Sequence, residues 1–129
     1  MDVSDSDLGL AGKRVLVVED EMLVSMLIED ILSDLGCQTV GPVTRVDAAL
    51  ELAGQEAIDV AFLDVNIAGQ RVFPVATALA EKGVPFVFVS GYGDQALEAP
   101  FEGRPVLKKP FTPDALGIAI RDCLDGSGA

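Results

Sequence analysis

The chain contains no histidine among its 129 residues. That absence excludes His-ligated zinc, a Ser-His-Asp triad and any phosphohistidine carried on this chain itself. Cysteine is nearly as scarce. Cys37 and Cys123 stand alone with no Cys-x-x-Cys, and both read as small buried hydrophobes. Positive charge is short too, with 9 Lys and Arg against 21 Asp and Glu. A net charge of −12 leaves no excess of basic groups to displace counterions from phosphates, which argues against nucleic acid as a partner. No apolar run reaches the length of a membrane span, and the opening MDVSDSDLGLAG is too acidic and polar for a secretory signal. A soluble cytoplasmic protein is expected, without a membrane partner.

What remains is a chain that is half hydrophobic and long enough to bury one core. Its acidic start predicts a short disordered lead over 1–12, one folded domain over 13–125 and a flexible tail over 126–129. Short apolar runs alternate with amphipathic segments, the pattern of βαβ units. VLVV (15–18), VAFL (60–63) and FVFV (86–89) are continuously apolar, as strands covered on both faces should be. A more polar strand around Gln38 to Val43 contains Gly41 and Pro42 and suits a sheet edge.

The first helix places Val24, Leu27, Ile28, Ile31, Leu32 and Leu35 on one predicted apolar stripe, with Gly36 as its stop. A second would bury Val46, Ala49, Leu50 and Ala53. A third would bury Val72, Val75, Ala76 and Leu79, with Pro74 in its first turn and Gly83 at its end. The last is capped by Thr112 with Pro113 following, and would bury Leu116, Ile120, Cys123 and Leu124. Between Ser90 and Lys109 the glycines and prolines leave room only for a stunted, mobile helix near Asp94 to Ala99. The expected fold is α/β, a doubly wound, flavodoxin-like sheet of five parallel strands in the order 2-1-3-4-5.

Four of the strand ends carry a chemically loaded residue: Glu19-Asp20 after VLVV, Asp64 after VAFL, Ser90 after FVFV and Lys109 after PVLK. Carboxyl ends of parallel strands gather along one edge, where ligands bind. Asp20 alone serves equally well as a helix cap or a metal ligand, but a second carboxylate at Glu19 gains nothing from capping. Three carboxylates brought together repel one another and are tolerable mainly around a hard cation, which predicts Mg²⁺ with Lys109 beside it. The backbone carbonyl of Asn66 lies where it would complete the metal shell. Gly91 leaves the neighbourhood of Ser90 open, and the proline after Lys109 permits a cis bond that would aim the lysine inward. No glycine-rich phosphate loop follows the first strand; the sequence there is EDEM. A carboxylate nucleophile, a divalent cation, a lysine and a hydroxyl suit phosphoryl transfer onto Asp64.

With these residues in view, the chain resembles a response-regulator receiver domain of two-component signalling, similar to the chemotaxis protein Y fold, over residues 13–125. VLVVEDE resembles the family's acidic pair and implies that Glu19 and Asp20 help hold Mg²⁺. FLDVN implies the phosphoacceptor at Asp64 and a metal-ligand carbonyl at Asn66. VSGYG implies the switch hydroxyl at Ser90, and KKPF the phosphate-sensing Lys109. The resemblance implies phosphorylation by a sensor histidine kinase or a histidine phosphotransfer protein. Ser90 and Lys109 are then repositioned and shift an inactive–active equilibrium. Self-dephosphorylation turns the signal off, so the chain is expected to be a phosphoacceptor and not an enzyme. With only DGSGA after Leu124, docking to a downstream protein is the expected output, through the fourth-helix segment, strand five and helix five.

Three departures from the family pattern stand out. Val106 occupies the strand-five position usually held by an aromatic switch residue, leaving Tyr92 or the 94–104 segment to carry the signal. Ala68 replaces a proline common in the loop after the acceptor, read as a minor change. PFVFVSGYG resembles the phenylalanine-alanine-threonine-glycine-type (FATGUY-like) subgroup of alphaproteobacterial single-domain regulators. Tyr92, Phe101 and Phe111 are candidate partner contacts, with a core role for Phe111 equally open. Two rivals remain: a degenerate receiver that binds partners without phosphorylation, and a haloacid-dehalogenase-type phosphatase. The latter needs an aspartate two residues after its nucleophile, where this chain has Asn66.

Overall fold

The computed structural model describes residues 10–91, 97, 100–101, 103–104 and 106–124. In chain order the elements are β1 (Arg14–Val18), α1 (Met22–Asp34), β2 (Gln38–Val43), α2 (Val46–Gln55), β3 (Val60–Asp64), β4 (Asn66–Ile67), β5 (Gln70–Arg71), α3 (Phe73–Glu81), β6 (Phe86–Ser90), β7 (Val106–Lys108) and α4 (Pro113–Leu124). Five parallel strands form the main sheet in the order β2-β1-β3-β6-β7, as expected. The polar strand β2 lies at an edge. No helix among the described residues is long and apolar enough to cross a membrane.

The continuously apolar strands are explained by the period of two along each one. Leu16, Val18, Ala61, Leu63, Phe86 and Phe88 face one core, covered by α2 and α3. Val15, Val17, Val60, Phe62, Val87 and Val89 face the other, covered by α1 and α4. Each fully buried side chain of this size contributes about 1.5–3 kcal/mol, so the central strands anchor both layers. Helix ends follow their signals. Thr112 Oγ1 accepts the Ala115 N–H at 3.1 Å. Gly36 and Gly83 take φ +82° and +74° where α1 and α3 stop.

Some expectations need correcting. Leu27 is 43 % exposed, because it lies about 100° around the helix axis from Ile28, the middle of the buried face. Leu50 likewise points outward while Val46, Ala49 and Ala53 are buried. Leu10, which falls within the expected disordered lead, is buried in the second core, and Gly12 N–H donates to Gly36 O at 2.8 Å. Phe101, expected as a partner contact, is only 3 % exposed and packs on Phe73, Phe86 and Phe88. An aromatic ring with three aromatic neighbours is a core residue. Val106 is half-buried beside Phe88, and Phe111 stacks on Phe62. The helix expected near 94–99, Tyr92 and the tail 126–129 lie outside the described residues, apart from Leu97, which packs on the first core.

A short antiparallel hairpin, β4–β5, was not anticipated. Its two-residue turn, Ala68-Gly69, has φ +51° and +83°. Positive φ at both central positions is the geometry that matches the twist of a tight hairpin. Gly69 adopts it freely, whereas Ala68 does so against its own Cβ.

Candidate functional site

Each functional side chain is delivered by a strand end. Glu19 continues the β1 ladder, its N–H donating to Val43 O at 3.0 Å. The register between β1 and β2 shifts just before this point, at a bulge where Gly41 takes φ +95°. A Cβ on Gly41 would lie 2.9 Å from Val43 N, so only glycine fits there. β3 ends on Asp64 and β6 on Ser90, which pairs in register with Lys108. The Lys109 N–H donates to Ser90 O at 2.9 Å, and the Lys109–Pro110 peptide bond is cis. The strand ends open onto a cleft of about 470 Å³ lined by Asp20, Glu21, Asp64, Asn66, Ser90 and Lys109. Residues spread over ninety positions of sequence are thereby collected along one edge.

Lys109 sits at the centre. Its Nζ lies 2.8 Å from Glu19 Oε1, 2.8 Å from Glu21 Oε1 and 2.9 Å from Asp64 Oδ2. Burial alone would lower its pKa, but the bonds to Glu19, Glu21 and Asp64 outweigh that and hold it above the ordinary lysine range. Glu19 is 1 % exposed, and burial pushes its carboxyl up to about 7 against the pull of Lys109 and of the Glu21 N–H that its Oε2 accepts at 2.9 Å. Glu21 was missed by the sequence reading, although EDEM displays a third acidic residue immediately after the pair.

Asp20 does not cap the following helix. α1 starts at Met22 with Glu21 in the cap position and no side-chain cap bond. The Asp20 carboxylate instead accepts the Ala68 N–H at 2.9 Å, tying the acidic pair to the β4–β5 turn. Proline at position 68 would lack that N–H and is confined to negative φ, so the exchange to alanine is not minor. Asn66 N–H donates to Asp64 Oδ1 at 3.2 Å, which fixes the Asp64 carboxylate from the side opposite Lys109.

Glu19, Asp20 and Asp64 each offer a carboxylate oxygen, all within 4.8 Å of one another. Hard divalent cations take such oxygen ligands, so this set fits Mg²⁺. Among the described residues the cleft lining offers no imidazole or thiolate, which disfavours a softer metal. Gly91 is adjacent, and a Cβ there would touch Lys109 Cδ at 3.5 Å, an ordinary contact.

A second feature also escaped the sequence reading. Met22, Leu23, Met26 and Leu27 are 74 %, 82 %, 54 % and 43 % exposed and share the outer face of α1. The patch reaches the site itself, since Leu27 and Val24 line a depression together with Glu21, Lys109 and Phe111. The period of 3.6 was readable, but two apolar faces on one helix are resolved only by what packs against it.

The family model described as the response regulator receiver domain matches residues 15–121. SdrG of Sphingomonas melonis is 43 % identical, with a TM-score of 0.79 covering 88 % of this chain and 97 % of that one. The BeF3-activated conformation of SdrG is similar at a TM-score of 0.74, with the same identity and coverage of 88 % and 98 %. The chain spans about half the length of the first curated relatives it matches. One is the uncharacterized transcriptional regulatory protein YbdJ of Bacillus subtilis, 26 % identical over 120 residues, which cover 90 % of this chain and 52 % of that protein. At the level of fold, the receiver domain of the sensor histidine kinase PA1611 from Pseudomonas aeruginosa is also similar, at 20 % identity, a TM-score of 0.77 and coverage of 89 % and 99 %. That structure is described with magnesium coordinated in its active-site cleft.

Proposed function

The chain belongs to the response-regulator receiver family of two-component signalling, and we propose that it works there as a phosphorylation switch with Asp64 as acceptor. The observation that carries this is one side chain, Asp64, held between Lys109 Nζ at 2.9 Å and the Asn66 N–H at 3.2 Å beside two further carboxylates. Its donor is a phosphohistidine on a sensor histidine kinase or a phosphotransfer protein, as membership of the receiver family implies.

In the forward step an Asp64 carboxylate oxygen attacks phosphorus, the new P–O bond forms as the P–N bond breaks, and the imidazole leaves. Lys109 stands where it stabilises the charge gathered on the phosphoryl oxygens. Ser90, 2 % exposed at the end of β6, stands ready to meet the acquired group with its hydroxyl. A magnesium ion held by Glu19, Asp20, Asp64 and the Asn66 carbonyl would supply further charge neutralisation. Water attack on the acyl phosphate returns the carboxylate and inorganic phosphate, so the chain is a self-resetting acceptor and not an enzyme acting on a separate substrate.

Output follows by docking to a downstream protein in the cytoplasm, where sensor kinases present their phosphohistidines. An apolar groove of about 420 Å³ beside β7 and α4, lined in part by Phe86, Leu107 and Ile118, supports docking on that side. PFVFVSGYG supports placement in the FATGUY-like subgroup, and the 43 % identity to SdrG is compatible with it. The test is transfer from a radiolabelled histidine kinase or phosphotransfer protein of the same genome. Rapid movement of label from at least one such donor is expected, and failure of every donor to transfer would contradict the reading.

A further inference from the structure

The Lys109 ammonium donates hydrogen bonds to Glu21 and Asp64 and lies 2.8 Å from the Glu19 carboxylate as an ion pair. The three are unequal. The Glu19 and Asp64 side chains are 1 % and 9 % exposed, whereas that of Glu21 is 62 % exposed. We propose that Glu21 is a positioning residue that sets the rate of phosphoryl capture: it holds one proton of Lys109 in the unmodified protein and must yield it to the phosphoryl group.

The inference rests on Asp64 being the acceptor, and it follows from competition for the Lys109 charge. A phosphoryl group on Asp64 brings anionic oxygens that compete with the neighbouring carboxylates for Lys109. Releasing Glu19 would leave a buried charge without its partner, a costly outcome. Glu21 returns to water at little cost, so it is the contact that gives way. Its carboxylate also lines the cleft that an anionic phosphoryl group must enter, and like charges there oppose approach. Both effects act in one direction. Glu21 slows capture and weakens the hold on a bound phosphoryl group.

The position adds a consequence. Glu21 immediately precedes Met22 and Leu23, the most exposed apolar residues of α1. Release of its carboxylate therefore leaves a charge without its ion-pair partner at the rim of that patch.

The experiment compares wild type with Glu21→Gln, which keeps the shape and removes the charge, and with Glu21→Ala. Labelling by acetyl phosphate in Mg²⁺ is followed across donor concentrations, and beryllofluoride affinity is measured by titration. Both variants are expected to raise kcat/KM about two- to fivefold, chiefly through a lower KM, and to bind beryllofluoride tighter by a similar factor. A purely structural role would not split KM from kcat in this way. Variants that label and bind like wild type, or more slowly, while wild type still labels on Asp64, would overturn the role of Glu21 and leave the acceptor intact. Absence of any labelling in wild type would overturn both.

Discussion

The backbone N–H of Ala68 donates to Asp20 Oδ2 at 2.9 Å, so the turn of the β4–β5 hairpin holds one of the acidic side chains that frame the site. Two irregularities, a non-glycine residue at φ +51° and an acidic residue that declines to cap its helix, therefore have one explanation. Each is the other half of the same contact.

This pairing predicts opposite outcomes for two substitutions. Ala68→Gly relieves the left-handed strain and keeps the N–H, and is expected to stabilise the fold by up to about 1 kcal/mol. Ala68→Pro removes the donor and cannot adopt the conformation, and is expected to cost about 2 kcal/mol or more. Urea denaturation of the two variants checks both signs.

Phe101 carries the second prediction. It sits among Phe73, Phe86 and Phe88, with Arg104 over its ring at 5.6 Å. Phe101→Ala is expected to cost about 3–5 kcal/mol of stability, as truncation of a buried phenylalanine does. A variant with wild-type stability and impaired partner binding would instead restore Phe101 to the surface.

Much of this architecture was legible in the sequence. The three continuously apolar strands, the edge strand with Gly41-Pro42, the Thr112 cap and the gathering of Glu19, Asp20, Asp64, Ser90 and Lys109 all followed from local rules, because each depends on neighbours in sequence or on a general property of parallel sheets. Leu27, Leu50 and Phe101 were misplaced for a different reason. An apolar residue on the flank of a helix, or in a glycine-rich connection, is buried only if some distant element covers it, and periodicity is silent about that. The β4–β5 hairpin was hidden because Ala68 is a poor turn residue, held in place by a contact with Asp20 across 48 positions of sequence. Glu21 was overlooked because its partner, Lys109, is 88 positions away.

Glu19 gives a pH dependence. Its carboxyl is raised by burial from 4.5 to about 7, so the folded chain binds a proton there that the unfolded chain releases at lower pH. The metal-free protein is therefore expected to lose stability as pH rises from about 4.5 to about 7. A cation that uses the Glu19 carboxylate must displace that proton. Mg²⁺ affinity is expected to fall below pH 7, with proton release on binding, measurable by calorimetry in buffers of different ionisation enthalpy. Affinity independent of pH between 5 and 8 would place Glu19 outside the metal site.

The exposed face of α1 yields a prediction that separates docking from chemistry. Leu23→Lys is expected to leave stability within about 0.5 kcal/mol, since the side chain is 82 % exposed. It should leave labelling by acetyl phosphate unchanged and slow transfer from a protein donor, the outcome expected of a donor that seats against the exposed face of α1. Equal rates with both donors in variant and wild type would remove α1 from the docking surface.

The central claim is that Asp64 captures the phosphoryl group, and the most direct measurement is the mass of the intact protein after incubation with acetyl phosphate and Mg²⁺. The account predicts one added phosphoryl group on wild type, mapped to Asp64 after borohydride reduction, and none on Asp64→Asn. Equal labelling of that variant, or a phosphoryl group mapped to another residue in wild type, would contradict it.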